Sequence, residues 1–266
     1  MERLLVLRLE SSGCAAEAVY NGVPLARVGP GQTLAWLPVH EYTLAGANEL
    51  QLLIEPPPPQ APGVPAPEPR LADGKAWATL RLLLPRIGAT ASPASARTLA
   101  QLDWAPTADD TYEVPLALHS RVEVPAGFPR WRWLDAPAIP DGPALRREAA
   151  AYLLEIALGL ARGKPDPLIL ASRLRLEDLA QAYQHNLNEV VGRLRDHILA
   201  QHALAPLTPP LPAADQLVLR PVAEGRLLEC LAPDGSPVLR SPRPDGGCIG
   251  WPVRLAVVEG RFYVLR

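Results

Sequence analysis

The chain contains very little lysine. Of its 26 basic residues only Lys75 and Lys164 are lysine, and the formal net charge at neutral pH is −2. Without an excess of positive charge, the chain has no bulk attraction to nucleic acid or to anionic membranes. The preference for arginine, together with 32 prolines, is typical of a GC-rich genome, so we expect a bacterial source.

Cysteine is also scarce. The three cysteines, Cys14, Cys230 and Cys248, are odd in number and no two of them have CxxC spacing. This excludes a disulfide framework and disfavours a cysteine zinc site. His197 and His202 are five residues apart, so they do not share one face of a helix as metal ligands would. We therefore expect no metal and no cofactor.

Long apolar runs are absent as well. No stretch of 18 apolar residues could span a membrane. At the amino terminus, "MERLLVLRLESSGC" is interrupted by Arg8 and Glu10, and Ser11 stands where a lipoprotein cleavage box carries leucine. We expect a β-strand here rather than a signal segment, and a soluble, cytoplasmic protein.

The first half of the chain has the period-two pattern of β-strands. Within 113–124 the apolar side chains Val114, Leu116, Leu118, Val122 and Val124 alternate with polar ones. The segments 49–55 and 77–84 alternate in the same way, and in the second of them Ala78, Leu80, Leu82 and Leu84 are expected to point inward. Asn21-Gly22 is a strong signal for a β-hairpin. Alternation with one wet face predicts an all-β antiparallel sandwich over residues 1–138.

Two motifs in this half resemble those of galactose-binding-like jelly-roll sandwiches. One is Tyr20-Asn21-Gly22, and the other is Gly46-Ala47-Asn48-Glu49-Leu50. We expect Gly46 to adopt a positive φ and the Asn48 side chain to satisfy backbone groups of the turn. The resemblance implies a jelly-roll fold.

A proline-rich loop, 56–70, interrupts the sandwich. Eight of the residues 56–69 are proline, which cannot donate to a strand ladder. We expect extended polyproline II structure in a loop within the domain, because similar strands resume at Trp77.

The period changes to that of a helix near residue 140. Three helices are expected, at 143–162, 176–184 and 187–200. The first ends at Gly163 and Pro165, and the last has Asn186 as its N-cap. The apolar stripe of the first helix is Leu145, Ala149, Tyr152, Leu153, Ile156 and Leu160, and that of the last is Leu187, Val190, Val191, Leu194 and Ile198. Five strands of a β meander should follow, at 216–222, 226–231, 237–241, 251–258 and 261–265. These elements predict an α+β domain over residues 139–266.

Helices followed by a meander that ends in "RLAVVEGRFYVLR" resemble the NTF2-like α+β cone. The resemblance is carried by the strand 253–258, Gly260, and the final aromatic residues Phe262 and Tyr263. It implies a pocket between the helices and the sheet.

A helix-turn-helix at 176–200 is the alternative for this region. The spacing of Leu179, Val190 and Leu194 is typical of bacterial DNA-binding domains. Gln184, however, stands where such a turn usually has glycine, and the charged residues of the second helix sum to zero. Because phosphate neutralisation supplies most DNA affinity, nucleic acid is a disfavoured partner.

"FPRWRWLDAP" is the most unusual stretch for a binding role. If the segment is extended, Trp131 and Trp133 share one face and form an aromatic platform for a sugar or a partner protein. The alternative interpretation is that both indoles are buried near the domain boundary.

Further candidate binding residues come from loops and helix ends. His40 and Tyr42 precede a strand, where a sandwich often binds ligands. In the second half, Tyr183 or His185 with Glu229 could supply a titratable pair for an enzyme. Cys248 lies among glycines, but no base is placed beside it by the sequence.

The sequence contains no convergent set of acid, base and nucleophile. It favours a non-enzymatic binding module of two domains, with a protein partner or a small ligand. The alternatives are a small-molecule enzyme with a pocket in the C-terminal domain, and a DNA-binding regulator.

Overall fold

The computed structural model describes residues 4–56, 68–86, 92–125, 127–207, 211–243 and 248–266. Backbone contacts divide these residues into two compact units. Those up to Arg130 form the first unit, and those from Trp131 onwards form the second. Most of the proline-rich loop lies outside the described residues, and so does the prediction of polyproline II structure there.

The first unit is built from β-strands. In chain order they are β1 (Val6–Ser12), β2 (Ala16–Tyr20), β3 (Val23–Val28), β4 (Leu34–Pro38), β5 (Gly46–Ile54), β6 (Glu68–Leu71), β7 (Trp77–Pro85), β8 (Ala96–Trp104), β9 (Thr111–Val114) and β10 (Leu116–Val124). They form two four-stranded antiparallel sheets, with strand orders β4-β1-β7-β8 and β10-β5-β2-β3, and the two-stranded sheet β6-β9. Strands of the two larger sheets contact each other, which fits a β-sandwich.

The predicted alternation is confirmed in these sheets. In β5, Leu50, Leu52 and Ile54 are fully buried, whereas Glu49 is exposed. In β7, Ala78, Leu80 and Leu82 are fully buried as predicted. Leu84, which was also predicted to point inward, is only half-buried, whereas Leu83 is fully buried.

The turn motifs also behave as expected. Asn21 and Gly22 both have positive φ, as a two-residue hairpin between β2 and β3 requires. Gly46 has φ +87°. Asn48 accepts a hydrogen bond from the Leu44 N–H at 2.7 Å and donates to the carbonyl of the same residue at 2.9 Å.

The second unit combines helices with antiparallel strands. Its described elements are α1 (Pro143–Ala161), α2 (Asp166–Ala171), α3 (Arg173–Tyr183), α4 (Leu187–Leu204), β11 (Val218–Val222), β12 (Leu227–Leu231), β13 (Leu239–Pro242), β14 (Cys248–Trp251), β15 (Arg254–Val258) and β16 (Arg261–Val264). The sheet order is β11-β12-β15-β16, and β13 and β14 form a separate pair. The predicted strand at 251–258 is therefore split, because Pro252 and Val253 leave the strand conformation.

The helix α2 was not among the three expected helices, and Pro165 was expected only to end the first of them. Pro165 and Pro167 lie at the beginning of α2, where a missing N–H removes no helical hydrogen bond. The start of α4 is confirmed: Asn186 Oδ1 accepts a hydrogen bond from the Asn188 N–H at 2.9 Å.

The core of the second unit lies between α1, α4 and the four-stranded sheet. Ala149, Leu153 and Ile156 of the predicted α1 stripe are buried there. Their neighbours from the sheet are Leu219, Leu228, Cys230, Leu255 and Val264. The α4 stripe divides between two clusters, since Ile198 joins this core whereas Val190 packs on α3.

Candidate functional site

The two tryptophans proposed as an aromatic platform are buried. Trp131 and Trp133 are only 1% and 2% exposed, so neither presents a ring face to a ligand. The condition for the platform is not met, because Arg132–Leu134 forms a short 3-10 turn, and the burial of both indoles agrees with the alternative interpretation. The Arg266 guanidinium lies 6.0 Å from the centre of the Trp133 ring, which is a packing role within the second unit.

His40 and Tyr42 are buried as well, within the 3-10 turn His40–Tyr42. The His40 Nε2 atom accepts a hydrogen bond from the Leu5 N–H at 2.8 Å, and its ring meets Phe128 edge-to-face at 5.3 Å. Their burial and these contacts assign the pair to packing of the first unit rather than to an open ligand site.

The residues suggested for an enzyme have different surroundings. Both carboxylate oxygens of Glu229 are held by arginines, Arg220 at 2.7 Å and Arg254 at 2.9 Å. Tyr183 stacks on the exposed His185 at 6.3 Å, next to the turn between α3 and α4. A carboxylate neutralised by two guanidinium groups is a poor general base, so the structure offers no argument for this pair.

Cys248 is exposed at the start of β14, and residues 244–247 before it lie outside the described residues. Among the described residues there is no group of three or more His, Cys, Asp or Glu side chains that could hold a metal ion. No helix within the described ranges has both the length and the apolarity to cross a membrane.

A different candidate site lies on one face of the sheet β4-β1-β7-β8. Residues that are paired directly across antiparallel strands project on the same side of a sheet. The register pairs Trp36 with Arg8 and Arg8 with Arg81, and two residues further along β1 it pairs Ser12 with Trp77. We call this side the tryptophan face. It comprises Arg8, Glu10, Ser12, Leu34, Trp36, Trp77, Thr79, Arg81, Gln101 and Asp103.

Two indoles of this face are open to solvent. Trp36 is 62% exposed on the edge strand β4, and Trp77 is 40% exposed at the start of β7. They are two strands apart and four residues apart along the strand direction. This places them roughly 17 Å from each other, with about 4.8 Å between strands and about 3.4 Å per residue.

A connected row of polar groups shares this face with the indoles and crosses from β1 over β7 to β8. Glu10 accepts hydrogen bonds from Arg8 at 2.8 Å and from Arg81 at 3.0 Å. Arg81 also donates to Gln101 at 2.8 Å, and Gln101 donates to Asp103 at 2.6 Å. The side chains of Arg8, Glu10 and Arg81 are 21–22% exposed, so the row is held flat against the sheet but remains reachable from solvent.

The charges of this row sum to zero, and hydrogen bonding favours the charged forms of Arg8 and Glu10. The hydrogen bond from Arg8 lowers the pKa of Glu10, and the hydrogen bond to Glu10 raises the pKa of Arg8. Two arginines therefore face two carboxylates, Glu10 and Asp103, and the polar row has no net charge. Such a surface offers both donors and acceptors without attracting ions of one sign.

One signal in the sequence could have found half of this site. The expectation that Ala78, Leu80 and Leu82 point inward already places Trp77 on the outer side of β7. The strand β4, which carries Trp36, was not predicted, because "TLAWLP" is too short and too apolar to show alternation.

Comparisons with known proteins add no relative. No protein-family model matches the chain, and neither the curated proteins nor the solved structures contain a significant match to it.

Proposed function

We propose that this chain is a non-enzymatic binding module, and that its tryptophan face binds an oligosaccharide. One observation carries the proposal: Trp36 and Trp77 are exposed on the same face of one sheet as a hydrogen-bonded row of balanced charge. We also propose that the two units are separate domains, a β-sandwich of galactose-binding-like type and an α+β domain of NTF2-like type.

The chemistry of the face suits a neutral, polyhydroxylated chain. Sugar rings carry C–H groups with a small positive charge, which the electron-rich face of an indole attracts. Their hydroxyl groups donate to carboxylates such as Glu10 and accept from guanidinium groups such as Arg81. A chain of several sugar units is long enough to contact both indoles and the polar groups of Arg8, Glu10 and Arg81 on β1 and β7.

The arrangement is less suited to other partners. A protein interface concentrates its apolar anchors at the centre and places polar groups on the rim, whereas here the charges of Arg8, Glu10 and Arg81 are central and the indoles are peripheral. A nucleic acid requires an excess of positive charge, and the polar row has none.

Affinity electrophoresis in gels that contain soluble polysaccharides tests the proposal. The panel consists of a β-glucan, a mannan, a xylan and a galactan. We expect at least one polysaccharide to retard the full chain, and we expect Trp36→Ala and Trp77→Ala each to weaken the retardation severalfold. Leu71→Ala is the matched control, because Leu71 is 72% exposed in the first unit but lies on β6, in another sheet.

The proposal is wrong if none of the four polysaccharides retards the chain. It is also wrong if Leu71→Ala weakens retardation as much as the two tryptophan variants do. Circular dichroism of each variant shows that the fold is unchanged.

A further inference from the structure

A long groove runs beside α1 in the second unit. It consists of two adjoining cavities of about 830 and 670 Å³, between α1 and the hairpin of β15 and β16. The two cavities share the lining residues Tyr152, Glu155, Gly260 and Phe262 and are therefore continuous. The larger cavity reaches Gly142, just before α1, and the smaller one reaches Leu170 of α2. We call this surface the α1 groove.

The middle of the α1 groove is aromatic. The rings of Tyr152 and Phe262 lie 5.7 Å apart, and Leu145 and Val257 extend the apolar surface next to them. Burial first, and then the nearby Tyr263 and Glu155, raise the pKa of Tyr152 to about 12. The Tyr152 hydroxyl therefore stays protonated at neutral pH, and its ring remains an uncharged surface.

One side of the α1 groove is acidic. Glu148 and Glu155 are exposed on α1, seven residues apart, and so lie on the same side of the helix about 10 Å from each other. Tyr152 lies between them in the sequence. Among the described residues, none forms an ion pair with Glu148 or Glu155, in contrast to Asp141 at the end of the groove, which pairs with Arg146 at 2.7 Å.

The end of the α1 groove next to α2 is lined by two arginines, Arg173 and Arg261. The Arg173 guanidinium lies 5.2 Å from the centre of the Tyr263 ring and donates to its hydroxyl oxygen at 3.1 Å. Arg261 is exposed beside it. A positively charged group of a ligand is therefore favoured next to Glu148 and Glu155 rather than next to Arg173 and Arg261.

We infer that the α1 groove binds an extended segment of a protein partner that carries lysine or arginine next to apolar side chains. Apolar side chains of the segment would cover Phe262 and Val257. A basic side chain would be attracted both by the carboxylates of Glu148 and Glu155 and by the face of the Tyr152 ring. The length of the groove, more than three turns of α1, favours an extended chain over a small molecule.

This inference does not depend on oligosaccharide binding, because the two surfaces lie on different units. It is tested with a library of random 12-residue peptides displayed on phage and selected on the full chain. We expect the enriched peptides to contain lysine or arginine within two positions of an aromatic or aliphatic residue. One enriched peptide is then synthesised with a fluorescent label, and its affinity is measured by polarisation.

Glu148→Gln and Glu155→Gln should each weaken the binding of this peptide about threefold, and the double variant about tenfold, as expected for partly exposed charge pairs. Phe262→Ala should weaken it more. Glu189→Gln is the matched control, since it removes one exposed carboxylate from α4, outside the groove. Trp36→Ala should bind the peptide like the unmodified chain.

Three results would overturn the inference. The selection enriches no peptide, or the enriched peptides are acidic or uncharged, or the double glutamate variant binds as tightly as Glu189→Gln. Tighter binding of a small amine such as spermidine than of the peptide would instead assign the α1 groove to a small-molecule ligand, and the inference would again be wrong.

Discussion

The side-chain amide of Asn21 donates a hydrogen bond of 2.8 Å to Oδ1 of Asn48, although 27 residues separate the two along the chain. This contact joins the hairpin turn after β2 to the turn that opens β5. The same Oδ1 atom accepts from the Tyr20 hydroxyl at 3.0 Å and from the Leu44 N–H at 2.7 Å. One buried side chain therefore satisfies the polar groups of two turns.

Replacing Asn48 should destabilise the first unit strongly. In Asn48→Ala, three donors lose their acceptor, and the carbonyls of Leu44 and Gly46 lose a donor. Asn48 is only 3% exposed, so water cannot readily replace these partners. We expect a loss of about 3 kcal/mol in the free energy of unfolding, measured with urea and tryptophan fluorescence. Asn188→Ala, at an exposed position of α4, should change it by less than about 0.5 kcal/mol. Equal losses in the two variants would contradict this account.

Tyr20 makes the stability of the first unit depend on pH in alkaline solution. Burial is the main cause that raises the pKa of Tyr20 to about 12, and its hydrogen bond with Thr43 opposes the rise only in part. The unfolded chain releases the same proton near pH 10. The folded state thus holds the proton more tightly than the unfolded state. The resulting contribution to the free energy of unfolding is complete below pH 10 and is lost as the pH rises from about 10 to about 12.

We expect the free energy of unfolding to fall by up to about 2–3 kcal/mol over that interval because of Tyr20. Tyr20→Phe should be less stable below pH 10, because the hydrogen bond to Asn48 is lost, but its stability should fall less steeply above pH 10. Urea midpoints measured at intervals from pH 8 to pH 12 give both curves. Parallel curves would show that Tyr20 does not titrate as described.

The parts of the fold that sequence analysis predicted correctly depend on neighbouring residues. The Asn21-Gly22 hairpin, the positive φ of Gly46 and the cap at Asn186 each follow from the conformational preferences of one or two residues. Alternation in β5 and β10 likewise reflects a local period that burial enforces.

The parts that were missed depend on contacts between distant segments. The tryptophan face exists because the register places Trp36 beside Arg8, 28 residues away, and no local pattern encodes that register. The α1 groove joins Tyr152 to Phe262, which are more than 100 residues apart. The burial of Trp131 and Trp133 was one of the two interpretations of that segment, but the 3-10 turn Arg132–Leu134 was not predicted, because an alternating pattern does not distinguish it from a strand.

Gly74 should tolerate no side chain. Its φ is +70°, and an added Cβ would lie 2.8 Å from the backbone nitrogen of Ala108. Gly74→Ala therefore combines a strained backbone with a steric clash, and we expect a loss of about 2–3 kcal/mol in the free energy of unfolding. Gly31→Ala is the control, because nothing lies within 4 Å of its added Cβ. A Gly74→Ala protein as stable as Gly31→Ala would show that the turn can adopt another conformation.

Weak binding to DNA is the last expectation, and it tests the helix-turn-helix alternative. The geometry of α3 and α4 is compatible with such a motif, since Gln184 adopts φ +53° in a three-residue turn and Val190 packs on α3. The electrostatics are not favourable, because Arg195 is paired with Asp166 at 2.9 Å. The charges of Glu189, Arg193, Arg195 and Asp196 sum to zero along α4.

Non-specific DNA binding at physiological salt typically has a dissociation constant of about 1–100 μM. We therefore expect the dissociation constant for a 30-base-pair duplex to be larger than this range. Fluorescence polarisation at low and at physiological salt measures it. Glu189→Lys combined with Asp196→Lys raises the net charge of the same helix by four and should produce binding at low salt that disappears as salt is raised. Saturable, salt-sensitive binding by the unmodified chain that Arg193→Gln abolishes would instead assign α4 to DNA, because only a helix lying against phosphates would lose its affinity with that one guanidinium.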